Sequence, residues 1–293
     1  MTDPVDPQSE IYLQQAQQFS KAGIYDEAIA ALDQLLQQQP SAAIAWLERG
    51  KVFYQLRQYD SAIASFKESI LLKPDHELAW NLQGVALSKL ERHAEAIACY
   101  DQALKLCGTN YKVWYNRGNA LLKIGSIYEA LYSYEETLKL KPSYPKAWYN
   151  RGIVLTHLKR FEDAIESYNR ALILRPYFSA AHYNQGNLLY RLGRYKEALK
   201  SYEQVLKIRP DLDEGWHSQG NALYQLGLLQ CAIDSYDQAL ALNPESDKVW
   251  YRRGIVLSRI GQQQQAIASF DTALSFNPNF LEARTQRDRL LSG

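Results

Sequence analysis

The chain has 293 residues, 46% hydrophobic and 22% charged, with a net charge of +1. That pool holds enough apolar material for a continuous core, and so even a charge balance argues against bulk attraction to nucleic acid or a membrane surface. Its three cysteines, Cys99, Cys107 and Cys231, make neither a disulfide framework nor a paired metal-ligand spacing, and they suit a reducing compartment.

Residues 1–8 are proline-bearing and are expected to be an unordered tail. The start, Met1 to Pro7, has no basic and apolar pair of segments such as a secretory leader needs, and no run approaches 18 consecutive apolar residues. The expectation is a soluble, cytoplasmic protein.

A strict period follows. Gly50, Gly84, Gly118, Gly152, Gly186, Gly220 and Gly254 are each 34 residues apart. A length of ~100–200 residues per domain would suggest two domains, but a fixed period means an array that grows by stacking. With glycine at position 8, the repeats are 9–42, 43–76, 77–110, 111–144, 145–178, 179–212, 213–246 and 247–280. Position 4 is Trp46, Trp80, Trp114, Trp148, Trp216 and Trp250, with Tyr12 and His182 as exceptions. Position 20 is alanine throughout, position 24 is aromatic from Phe66 to Phe270, and position 32 is proline except at Gly108.

In 145–178, Ala147, Trp148, Arg151, Gly152 and Leu155 make one helical stripe. Phe161, Ala164, Ile165, Tyr168, Ala171 and Leu172 make a second, so each repeat predicts two antiparallel helices. Small Gly152 and Ala164 are expected where backbones approach, and Trp148 and Tyr168 as the bulk between helices. Proline stops the second helix, and a glycine at position 15 (Gly23, Gly125, Gly193, Gly227, Gly261) suits a left-handed residue closing the first.

These columns resemble the tetratricopeptide repeat across residues 9–280. The resemblance implies an all-α, right-handed superhelical solenoid of helix-turn-helix repeats. The 35-residue pentatricopeptide class, which reads RNA, lacks this set of columns. One departure is position 7, where the family has leucine. Here it is Arg49, Arg117, Arg151 and Arg253, or Gln83, Gln185 and Gln219, whose stems must lie on the packing; they are expected to bridge neighbouring repeats. Residues 281–293 start like another first helix but place Arg284 at the tryptophan position and Asp288 at the glycine, which predicts a polar capping helix.

Positions 2, 5, 6, 9, 12 and 13 of the first helix fall opposite its packing stripe. The resemblance implies that they line a concave groove. That face carries Lys21, Lys51, Lys89, Lys112, Lys123, Lys146, Arg191, Lys248, Arg252 and Arg259 against Glu10, Glu48 and Glu214, a local net +7 within a chain of +1. A one-sign concave surface focuses field on what enters it and points to an acidic partner; the plainer reading is solvated helix ends near a favourable dipole.

Asn116, Asn150 and Asn184 at position 6, with Asn119, Asn187 and Asn221 at position 9, could hold an extended peptide backbone. The position-6 amides also resemble the ladder of O-linked N-acetylglucosamine transferases; the plainer reading is common family filler. Tyr115, Tyr149, Tyr183 and Tyr251 offer flat contact area, or simply pack along their own helix. The carboxylate clamp of tetratricopeptide co-chaperones is matched in part: Asn187, Lys248 and Arg252 fit, while Tyr183 and Ser218 replace a basic residue and an asparagine.

Catalysis has no comparable signal. His76, His93, His157, His182 and His217 make no metal-ligand spacing, and phosphate-binding and nucleophile motifs are absent. His182 reads as a core residue. The expectation is a binding protein with no cofactor and no metal: a protein-interaction scaffold, or an assembly or chaperone-type adaptor, that takes an extended acidic segment. Nucleic-acid binding by the basic face and self-association are the alternatives. The repeated Trp-Tyr-Asn-Arg-Gly phrase resembles stand-alone prokaryotic arrays, some of which assist assembly of larger complexes, photosystems included.

Overall fold

The computed structural model describes residues 7–292, with side chains from Ser9. Within them lie seventeen α-helices and no strand. The first eight are α1 (Pro7–Ala22), α2 (Tyr25–Gln38), α3 (Ala43–Gln55), α4 (Tyr59–Leu72), α5 (Glu77–Lys89), α6 (His93–Leu106), α7 (Tyr111–Lys123) and α8 (Ile127–Leu140). Then come α9 (Pro145–His157), α10 (Phe161–Leu174), α11 (Ser179–Arg191), α12 (Tyr195–Ile208), α13 (Asp213–Gln225), α14 (Leu229–Leu242), α15 (Asp247–Arg259), α16 (Gln263–Phe276) and α17 (Leu281–Ser292). The chain forms two compact blocks, Met1–Leu158 and Lys159–Gly293, so repeat 145–178 gives α9 to one and α10 to the other. The tail expected over residues 1–8 falls, for 1–6, outside the described residues; α1 begins at Pro7.

In each block a first helix packs on its own second helix and on the second helix before it, as α7 does on α8 and α6. First helices also approach one another, α3 to α5 and α5 to α7 in one block, α11 to α13 and α13 to α15 in the other. A helix with three neighbours needs a wide buried arc. Position 10, outside the expected stripe, is therefore buried as well: Val52, Ala86, Ala120, Val154, Leu188, Ala222 and Val256.

The turn between paired helices is made by one residue. Gly23, at φ +78°, donates its N–H to the Ser20 carbonyl, and Ile24 donates to that of Phe19, which is the Schellman pattern. Where glycine is missing at position 15 the conformation persists: Arg57, Glu91 and Lys159 sit at φ 60°, 59° and 60°.

Two expectations about the core change. Glycine at position 8 does not serve backbone contact; a Cβ on Gly118 would lie 2.8 Å from the Tyr134 ring, and one on Gly220 2.5 Å from Tyr236. The ring of position 24 fills the space, and these rings are the largest fully buried side chains. The tryptophans are only half-buried. Each ties one repeat to the last: Trp114 Nε1 donates to the Gly108 carbonyl at 2.8 Å and Trp216 Nε1 to Pro210 at 2.9 Å. His182 and Arg284 keep the bond in place of tryptophan, His182 Nε2 meeting the Pro176 carbonyl at 2.9 Å and Arg284 Nη2 that of Pro278 at 2.5 Å. A polar N–H aimed at a carbonyl of the turn between repeats is what the position selects, ahead of bulk.

The position-7 arginines and Gln185 bridge repeats, whereas Gln219 accepts from Ser235 of its own repeat at 3.1 Å and Gln83 Oε1 is buried without a hydrogen-bond partner among the described residues. Arg49 donates to Asp33 at 2.7 Å, Arg117 to Asp101 at 2.6 Å, Arg253 to Asp237 at 2.6 Å and Arg287 to Asp271 at 3.1 Å. The guanidinium groups of Arg49, Arg117 and Arg253 lie over the tryptophan of their own helix, 5.5, 5.9 and 5.8 Å from its ring. Where the partner is Asn169 the residue is Gln185, bonded to it at 2.6 Å.

Candidate functional site

The first helices carry the candidate face. Positions 2 and 13 are solvent-exposed: Lys112, Lys123 and Lys146 in the first block, Arg191 and Lys248 in the second, joined there by Arg252 at position 6. Of the basic residues read onto this face, only Lys51 forms an ion pair among the described residues, to Glu48 at 2.8 Å. The arginine–carboxylate pairs belong to position 7 and to the second-helix side, as with Arg194 between Glu162 and Glu197.

The asparagines are half-buried and wired inward by their oxygens. Asn119 Oδ1 accepts from Tyr134 at 2.9 Å and from Asn150 Nδ2 at 2.8 Å, so both its lone pairs are engaged. Asn187 Oδ1 accepts from Tyr202 and Asn221 Oδ1 from Tyr236, each at 2.8 Å. The position-9 asparagines therefore spend their acceptor oxygens inside the array, and the Nδ2 groups that remain are pure donors. At position 6, Asn116 donates to Asn81 at 3.4 Å, while Asn150 also donates to the Tyr115 hydroxyl at 3.2 Å. Asn184 is half-buried at the equivalent place in the second block. Burial pushes the buried tyrosines Tyr134, Tyr202 and Tyr236 above the ordinary phenol range, so they stay protonated donors.

The position-5 tyrosines are less available than the face assignment implied. Tyr115 lies between Tyr134 (6.0 Å between ring centroids) and Tyr144 (5.0 Å). Tyr251 lies between Phe270 (5.9 Å) and Phe280 (4.9 Å), with the Arg252 guanidinium 5.9 Å from its ring. Tyr183 packs 6.2 Å from Tyr202, and Tyr149 is half-buried in the first block. Position 5 is thus the edge where the face meets the core.

At the partial clamp, the two replaced positions meet each other, Tyr183 OH lying 3.5 Å from Ser218 Oγ. His217 sits beside them, held below the ordinary histidine range by burial first and then by Arg252 and Lys248. His182 is likewise lowered by burial, in keeping with a neutral ring donating to Pro176. Among the described residues no group of three or more His, Cys, Asp or Glu could hold a metal ion, and no helix is long and apolar enough to cross a membrane.

One feature of the face was missed by the column reading: a cavity of about 280 Å³ whose lining includes Ser88, His93 and Tyr100 together with Lys89, Lys123, Asn116 and Asn119. The signal lay in two variable columns: position 12 is aromatic in three repeats (Tyr54, Tyr190, Tyr224) and position 17 in four (Tyr25, Tyr59, Phe161, Tyr195), where repeat 77–110 has Ser88 and His93.

Tetratricopeptide repeat profiles match residues 13–76, 50–111, 115–178, 186–227, 220–261 and 247–280. No curated protein matches by sequence. Among solved structures, YrrB, described as a TPR protein with an unusual peptide-binding site, is 20% identical with a TM-score of 0.60, over 64% of this chain and 97% of that one. MamA of Desulfovibrio magneticus RS-1 is 26% identical with a TM-score of 0.55, over 58% of this chain and 96% of that one. The APC/C hetero-tetramer Cut9–Hcn1 is 15% identical with a TM-score of 0.56, over 91% of this chain and 52% of that one.

Proposed function

The chain belongs to the tetratricopeptide repeat family, and on that footing we propose that it is a protein-interaction scaffold, an adaptor of the assembly or chaperone type, holding an extended acidic segment of another protein on its first-helix face. The observation that carries the reading is the polarity of that face. The oxygens of Asn119, Asn187 and Asn221 are consumed by internal tyrosine donors, and Lys112, Lys123, Lys146, Arg191, Lys248 and Arg252 have no carboxylate partner among the described residues. Such a face offers donors and positive charge, which complement the carbonyls of an extended backbone and the carboxylates along it. The peptide-binding site named for YrrB is consistent with this use of the fold. On this reading the chain is a binding module in the cytoplasm rather than an enzyme, and it requires no cofactor.

The test is titration of the full chain with fluorescent twelve-residue peptides rich in glutamate and aspartate, from low to moderate salt. Lys112→Glu, Lys123→Glu and Lys146→Glu together should weaken binding at least tenfold and flatten its salt dependence. Unchanged affinity and slope would sink the proposal. Sequence-independent retention of single-stranded RNA at low salt would replace it with a nucleic-acid reading.

A further inference from the structure

The cavity between repeats 77–110 and 111–144 exists because of what two positions lack. In repeat 43–76, Tyr54 at position 12 and Tyr59 at position 17 pack with centroids 5.5 Å apart; in repeat 179–212, Tyr190 and Tyr195 do so at 5.2 Å. In repeat 77–110 the same positions are Ser88 and His93, and the cavity opens there.

The cation above it has lost the same thing. In two other repeats the position-13 cation lies against a ring of the preceding repeat. Arg191 is 5.7 Å from Phe161, at position 17, and Arg259 is 5.3 Å from Tyr224, at position 12. Lys123 holds that place over Ser88 and His93, so no phenyl or phenol ring of these columns lies beneath it. Two polar atoms at the site reflect the gap. With Val85 replacing the position-9 asparagine, the Tyr100 hydroxyl turns to Ser88 Oγ at 3.2 Å, and His93 Nδ1 is buried without a hydrogen-bond partner among the described residues.

We propose that this cavity takes an aromatic side chain of the bound segment, which supplies in trans the ring that other repeats supply themselves. The inference rests on the reading of the face as a peptide groove. The buried Tyr100 and Ala120 and the partly buried Val85 give the ring an apolar seat, Lys123 covers its π face, and Lys89 meets an acidic neighbour in the segment. At about 280 Å³ the cavity falls at the lower limit of small-molecule sites, which run from ~300 to ~1,000 Å³, and its size suits one large side chain. A central ring in a desolvated pocket is the usual anchor of such contacts.

The experiment pans a random twelve-residue peptide library on the full chain and on Ser88→Tyr/His93→Tyr, which fills the cavity with the pair already native to two other repeats. Ser88→Tyr alone is a second filled form, since repeat 213–246 carries Tyr224 beside Leu229. The native chain should select Phe, Tyr or Trp at one position beside acidic residues, and alanine there should weaken a selected peptide at least tenfold. Both filled chains should bind the aromatic and alanine peptides equally. A filled chain that keeps the tenfold preference, or selection of an acidic or phosphorylated residue at the cavity-dependent position, would overturn the inference. If Lys112→Glu/Lys146→Glu weakens binding while filling changes nothing, only the cavity inference fails. If those reversals leave every selected peptide unaffected, the groove reading fails and takes the cavity with it.

Discussion

The Arg117 guanidinium donates to Asp101 at 2.6 Å and to Ser133 Oγ at 2.8 Å, so one side chain of α7 ties it to α6 of the preceding repeat and to α8 of its own. Position 25 and position 7 of the next repeat change together at seven of eight junctions: aspartate or glutamate with arginine at five, Asn169 with Gln185, and Lys67 with Gln83, while Glu203 with Gln219 is the exception. Because Asp101 is 42% exposed, its charge is partly screened. Asp101→Lys should cost about 1–2 kcal/mol by setting two cations together. Adding Arg117→Gln, the pairing native to Lys67 and Gln83, should recover more than half. Urea midpoints of the four chains measure this, and a double variant no better than the single would count against the pairing.

Gly118 is glycine because the Tyr134 ring occupies the place of its Cβ. The first repeat has Ala16 at position 8 and Leu32 at position 24, both in one buried cluster. Gly118→Ala should therefore destabilise by about 1–3 kcal/mol through overpacking, in spite of the ~1 kcal/mol that alanine gains in helix propensity. Gly118→Ala/Tyr134→Leu should regain part of that loss, although it also discards the Tyr134 bond to Asn119. Thermal denaturation distinguishes these outcomes; a harmless Gly118→Ala would refute the steric account.

Glu91 holds φ at 59°, a conformation that five other repeats give to glycine. Glu91→Gly removes a left-handed strain of ~1–2 kcal/mol, against a smaller entropic loss in the unfolded chain. The net gain should be ~0.5–1 kcal/mol, raising Tm by about 1–3 °C. Gly125→Ala, at φ 80°, should move Tm the other way. Calorimetry of both chains checks the pair of signs.

His76, His182 and His217 are each held below the ordinary histidine range, by burial first in every case. Above pH ~6.5 both folded and unfolded histidines are neutral and contribute nothing. As pH falls through that value the unfolded chain takes protons first, so stability declines until the lower folded values are reached. The urea midpoint should thus be lower at about pH 5.5 than at about pH 7.5. His182→Trp should shrink the difference while keeping the N–H bond to the Pro176 carbonyl. An unchanged pH dependence in that variant would refute the assignment.

The fold and the site were legible to different depths. A period of 34 with Ala28 to Ala266 in one column, every one fully buried, requires stacked helix pairs whatever the details. The candidate face was legible as far as charge, because Lys112, Lys123 and Lys146 lie on the exposed side of their helices whichever way the repeats stack. Bond direction was not. Nothing in the order Tyr-Asn-Arg-Gly-Asn says that Asn119 spends its oxygen on Tyr134, fifteen residues away.

What the sequence determined by itself was periodicity, helix count and which residue types recur, since these follow from helical geometry and from glycine and proline stereochemistry along one strand of chain. Only the tertiary structure decided what each column is for. Tryptophan serves a carbonyl of the previous repeat, glycine makes room for a ring from the next helix, and arginine joins three helices. The cavity beneath Lys123 comes from rings that two columns omit. Each of these is a contact between residues 6 to 35 positions apart. Their partners are set by how helices stack, within one repeat for the glycine and its ring and across the junction between repeats for the others.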